Sequence, residues 1–131
     1  MSRDQLQWAL VTGDCQEFEK NLEQLPDVNC TLANGRAPLH FAADFGQKDI
    51  IQFLLDKGAN IDLMDGFGVT PLLAAIYEGH LDCVELLLRH VGFRHLCFLF
   101  KKAKIGTAPN GATYEECTES EAIKKLLRRY Q

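Results

Sequence analysis

The chain repeats itself at a spacing of 33 residues. NGRAPLHFAADFGQKDIIQFLLDKGANI, starting at Asn34, aligns with FGVTPLLAAIYEGHLDCVELLLRH, starting at Phe67. Gly35 then pairs with Gly68, Pro38 with Pro71, Leu39 with Leu72, Ala42 with Ala75 and Gly46 with Gly79. One step back, Ala9, Gly13 and Asp14 stand in the places of Ala42, Gly46 and Gln47. One step forward the period breaks, because Gly111 and Thr113 lie 43 residues beyond Gly68 and Thr70. A short fixed period means one small structural unit stacked on copies of itself, since no unit can bury its apolar stripe alone. The surplus of ten is an insertion at the last junction, VGFRHLCFLF at 91–100.

Each unit predicts two helices. Pro38 and Pro71 suit a first helical turn, where a missing N–H costs nothing. Thr70 before Pro71 is a fair N-cap. The short helices LHFAADF and LLAAIYE follow, with Ala42, Ala43, Ala74 and Ala75 small enough for close helix approach. Gly46 and Gly79 end them in left-handed geometry. A second helix carries apolar residues at Ile50, Ile51, Phe53, Leu54 and Leu55, and again at Leu81, Val84, Leu86, Leu87 and Leu88, a helical spacing. Gly58 closes the first of these, and ANIDLMDGFG makes an extended turn to the next unit.

A TPLH-like motif at this period resembles the ankyrin repeat. The likeness is strong over 34–90, fair over 4–33 and partial over 110–131. It implies an all-α ankyrin-repeat solenoid of about four helix–turn–helix–hairpin units, near 1–33, 34–66, 67–100 and 101–131, with an irregular last unit. The whole of 1–131 reads as a single domain, and the end units should carry polar outer faces.

Composition excludes several classes of function. Apolar residues make up 47 % and charged residues 24 %, which is ordinary for a globular chain. MSRDQLQWAL has no apolar run long enough for a signal peptide, and nothing approaches the roughly 20 apolar residues that span a bilayer. Five cysteines, an odd number without a CxxC, argue against a disulfide framework and a zinc site and for reduced thiols. Residues 1–100 hold seven Lys/Arg against fourteen Asp/Glu, a net charge of −7 that repels nucleic acid and suits a basic protein surface. Residues 101–131 carry a net +3, with Lys124, Lys125, Arg128 and Arg129 at helical spacing, as on a solvated helix face. The expected compartment is the cytoplasm, with the nucleus as a second one.

No catalytic, cofactor or metal constellation appears. His90 and His95 lack a ligand partner at metal spacing, and NGRAP and DGFGV are turns, not phosphate loops. The ankyrin resemblance gives His40, in APLH, a structural hydrogen-bonding role between units.

That leaves binding. In the ankyrin family the hairpin tips and the open side of the short helices form a concave binding surface. The pattern points there to Ala33, Asn34, Arg36, Asp44 and Phe45 in the second unit. In the third it points to Met64, Gly66, Phe67, Val69, Tyr77 and Glu78. Phe45, Phe67 and Tyr77 would be anchors, and Asp44, Asp65 and Glu78 complementary charge. The other reading is that some of these aromatics pack between units. Trp8, in the register of Phe41 and Ala74, fits either the end of the core or an extension of the patch. The residues WALVTGD, GRAPLHFAADFGQ, TPLLAAIYEGH, CVELLL and EAIKKLL also resemble one small member of the family. That likeness implies a partner, the heterodimeric actin-capping protein, whose inhibition lets filament barbed ends grow. The alternative is a general adaptor for another protein, such as a nuclear Rel-type transcription factor. Neither nucleic acid nor membrane is an expected partner.

The insertion leaves two structures open. The second helix of the third unit runs on from about 81 to 101, or LCFLF forms a strand or a packed loop. The chain is expected to be a monomer, with self-association through 91–100 as the alternative. Deleting residues 91–100 should raise the melting temperature; a clear drop would place the segment in the core.

Overall fold

The computed structural model describes residues 3–23, 27–32, 35–96 and 108–129. Its helices are α1 (Arg3–Thr12), α2 (Cys15–Leu22), α3 (Pro38–Asp44), α4 (Lys48–Asp56), α5 (Pro71–Glu78), α6 (Leu81–Leu96) and α7 (Glu121–Arg129), with a 3₁₀ turn at Glu115–Cys117. No strand occurs among the described residues, so the expected all-α repeat solenoid is what forms. The first helices α1, α3 and α5 pack side by side, and α2, α4, α6 and α7 make a second layer behind them.

Local chemistry sets the helix ends. Asp14 caps α2 by accepting the Glu17 N–H at 3.0 Å, and Thr70 caps α5 by accepting that of Leu73 at 3.2 Å. Pro71 opens α5, and Gly79 closes it with φ +74°. Ala42, Ala43, Ala74 and Ala75 are all buried, and their small side chains let α3 and α5 approach. The second layer adds Ile50, Ile51, Leu54, Val84, Leu87 and Leu88, all buried. Phe18 of α2 meets Phe53 of α4 edge to face, with centroids 6.0 Å apart.

Side chains cross each junction. Gln47 donates from Nε2 to the Val11 carbonyl at 3.0 Å, and His80, 33 residues on, reaches the Asp44 carbonyl at 3.0 Å. Both lie against the glycine that ends the preceding short helix. A Cβ on Gly46 would sit 2.8 Å from the His80 ring, and one on Gly13 would sit 2.5 Å from Gln47 Oε1. These glycines therefore supply both a positive φ and the room for the crossing side chain.

His40 is the central crossing. Its Nδ1 accepts the Ala37 N–H at 3.1 Å, so Nε2 carries the proton and donates to the Val69 carbonyl at 2.7 Å. The ring is fully buried, as the structural role requires. Leu73 stands at the matching place one unit later, and there the crossing passes to Thr70 Oγ1 and the Tyr114 hydroxyl, 2.8 Å apart.

Hairpin closures record the insertion. Leu32 N–H to the Arg36 carbonyl (2.7 Å), Asp65 N–H to Val69 (3.0 Å) and Ala108 N–H to Ala112 (2.8 Å) are equivalent bonds. The donors are 33 and then 43 residues apart. α4 ends at Asp56, whose counterpart is Arg89, so α6 runs seven residues further, to Leu96. The helix runs on through Gly92, as the first alternative expects as far as Leu96; residues 97–100, on which the two alternatives differ, lie outside the described residues. Seven residues add about 10 Å of helix. The last unit is reduced. Its first helix is only the 3₁₀ turn, after which Thr118 and Ser120 turn their hydroxyls to the backbone and start α7. α7 exposes Lys125, Arg128 and Arg129, and α2 exposes Gln16, Glu19 and Lys20.

Burial holds the His40 imidazole below the ordinary His value near 6.5, against the weaker opposing pull of its bond to Val69. The folded state therefore takes up this proton less readily than the unfolded chain. The stabilisation is complete above the ordinary range and is lost as pH falls through it. Denaturant unfolding between pH 7 and 5 should show stability falling with a limiting slope of about 1.4 kcal/mol per pH unit from this group. His40→Asn should be less stable at pH 7 and show a flatter profile; an unchanged profile would remove His40 as the cause.

Candidate functional site

The large apolar side chains exposed among the described residues are Trp8, Val11, Phe45, Met64, Phe67, Tyr77 and Leu81. All but Leu81 lie on first helices, at the C-cap of one (Phe45 after α3), or on the hairpin between α4 and α5. The repeat explains why they gather. Val11, Asp44 and Tyr77 are equivalent, as are Thr12, Phe45 and Glu78. The first helices pack side by side as copies of one unit, and that repetition puts equivalent positions in register along the stack. Exposed apolar side chains gathered in this way are a candidate interaction surface.

Trp8 is 68 % exposed, so it extends this face and does not fill the core. Phe67 is equally open at the hairpin tip, and Phe45 and Tyr77 are about half exposed. These aromatics therefore do not pack away between units. The Tyr77 hydroxyl lies 4.0 Å from Cys117 Sγ in the last unit. Glu78 is exposed beside Tyr77. Ala33 and Asn34 lie outside the described residues.

Three of the charged candidates form one cluster. Arg36 Nη1 is 3.6 Å from Asp44 Oδ2, and Arg36 Nε is 3.5 Å from Asp65 Oδ2. The guanidinium lies over the Phe41 ring, 5.0 Å from its centroid. The Asp65 side chain is only 4 % exposed, and its Oδ1 accepts the N–H groups of Phe67 (2.8 Å) and Val69 (3.0 Å). Asp65 therefore shapes the hairpin that presents Phe67. Asp44 stays partly open. Val11 and Phe41 went unnamed as candidates. The 33-residue register places Val11 with Asp44 and Tyr77, whereas nothing in the sequence signals the stacking of Arg36 on Phe41.

Chemistry is sparse here. Both His40 nitrogens are committed to backbone partners, which leaves no free base. No group of three or more His, Cys, Asp or Glu side chains among the described residues could hold a metal ion. Cys83 is buried, and burial pushes its thiol up to about 11; Cys15, Cys30 and Cys117 are half-buried, with no disulfide among these four. Among the described residues, no helix is long and apolar enough to cross a membrane.

Replacing Asp65 by Ala removes two hydrogen bonds and the partner of a mostly buried guanidinium. It should cost about 2–3 kcal/mol in denaturant unfolding. Phe67→Ala should stay within about 0.5 kcal/mol. Equal costs would mean that the hairpin does not depend on this carboxylate.

Comparison with known proteins agrees with this architecture. A myotrophin from Xenopus tropicalis is 47 % identical over 53 residues, 40 % of this chain and 45 % of the relative. Protein fem-1 homolog A from Bos taurus is 34 % identical over 117 residues, 81 % of this chain and 18 % of the relative. Serine/threonine-protein kinase 12 from Arabidopsis thaliana is 32 % identical over 90 residues, 69 % of this chain and 19 % of the relative. The chain spans less than half the length of each of these relatives. The family description "Ankyrin repeats (3 copies)" matches residues 6–96, so the chain belongs to the ankyrin-repeat family.

Proposed function

We propose that this chain is a non-enzymatic protein-binding module whose partner is the actin-capping heterodimer. Docking would inhibit barbed-end capping and promote filament growth. One observation carries the binding reading: Trp8, Val11, Phe45, Met64, Phe67 and Tyr77 leave large apolar side chains exposed along the first helices, at their ends and on the hairpin between α4 and α5. Aromatic anchors in a polar surround are where interface energy concentrates. Asp44 and Glu78 stand on the same side of the stack, and carboxylates there suit a basic partner surface, mainly by steering the encounter and fixing its register. The likeness to myotrophin supports the choice of partner.

Calorimetric titration into purified capping heterodimer, at low and high salt, tests this. One-to-one binding that weakens with salt is expected. Phe67→Ala or Tyr77→Ala should raise Kd by about tenfold or more, the effect of losing about 1.4 kcal/mol at an anchor. No binding by a folded sample would remove the capping reading and leave a general adaptor with another protein target.

A further inference from the structure

Eight serine and threonine residues occur in the chain. Two of them have a carboxylate three places on, the spacing that acidophilic protein kinases read with a basic substrate groove: Thr113 with Glu116, and Thr118 with Glu121. The structure separates the two. Thr118 is 9 % exposed, and its Oγ1 accepts the Ser120 N–H at 3.1 Å just before α7. Thr113 is exposed, and among the described residues its Oγ1 takes only a long 3.3 Å bond from the Glu116 N–H.

The surroundings of Thr113 suit both the kinase and the product. Glu115 and Glu116, two and three places on, lie in the reduced last unit. Glu116 is exposed, whereas Glu115 accepts from Arg128 Nε at 2.6 Å and is largely neutralised. Thr113, Glu115, Glu116 and Lys124 line one surface cavity of about 440 Å³, ample for a phosphate group. Lys124 holds Glu121 at only 3.5 Å, and the Glu121 side chain is 71 % exposed, so the ammonium exchanges that partner at little cost.

We propose that Thr113 is a phosphorylation site for an acidophilic serine/threonine kinase, with Lys124 across the cavity as the cation that holds the phosphate. Thr113 Oγ1 attacks the γ-phosphorus of ATP. The Oγ–P bond forms as the bond to the ADP oxygen breaks, and the hydroxyl proton passes to the base of the kinase. Glu116 directs the kinase and then, by repulsion, turns the phosphate toward Lys124. The product carries about two negative charges next to Tyr114, whose hydroxyl ties the last unit to Thr70. The site depends neither on the exposed aromatic face nor on its partner.

Incubation of the folded full chain with casein kinase 2 and ATP, read by mass spectrometry, tests the site. One phosphate is expected, on Thr113, with Thr118 unmodified. Glu116→Gln should slow incorporation about tenfold, whereas Glu119→Gln should leave it unchanged. In the phosphorylated chain, followed by ³¹P NMR titration, Lys124→Gln should raise the second pKa of the phosphate by roughly half a pH unit, and Lys124→Arg should restore it. No incorporation into the folded chain, incorporation at Thr118 instead, or an equal rate in Glu116→Gln would overturn the proposal. A phosphate titration indifferent to Lys124→Gln would overturn the part given to Lys124.

Discussion

Side chains that reach across unit boundaries tie this fold together. Gln47 to Val11, His80 to Asp44 and His40 to Val69 each join a unit to its neighbour through a backbone carbonyl. Each is worth about 1 kcal/mol net, and leaving the buried His40 ring unpaired would cost more. They also fix the orientation of one unit on the next, which apolar contact alone leaves loose. The alanines and helix-ending glycines follow from that constraint, because only small residues let the units close to bonding distance.

The proposed binding face is a by-product of the same register. With units bonded at a constant offset, Val11, Asp44 and Tyr77 fall in one row along the first helices. The hairpins stack beside that row through Gly35, where a Cβ would lie 3.0 Å from the Gly66 nitrogen. Arg36 connects the two zones. It lies on Phe41 of α3 and pairs with Asp44 of α3 and with Asp65 of the next hairpin. The anchors Phe45 and Phe67 thus stand on parts of the molecule held to each other by charge and stacking.

Much of this was legible in the sequence. Period, helices, caps and the ten-residue surplus could all be read, because proline, glycine and alanine recur at fixed places. The crossing bonds were harder to see, because the interaction recurs where the residue type does not. Gln47 and His80 do one job with different side chains. His40 gives way to Leu73, and Thr70 with Tyr114 takes over. Asp65 reads as surface charge beside two glycines, yet its carboxylate turns into the hairpin. Trp8 could not be placed from register alone, because its equivalents are a half-buried Phe41 and a buried Ala74.

Hydrogen exchange with and without the capping heterodimer tests the central claim most directly. The account predicts new protection along the first helices around Trp8–Val11, Asp44–Phe45 and Tyr77, and in the Met64–Phe67 hairpin. Protection confined to α2, α4, α6 and α7, with the first-helix row unchanged, would contradict it.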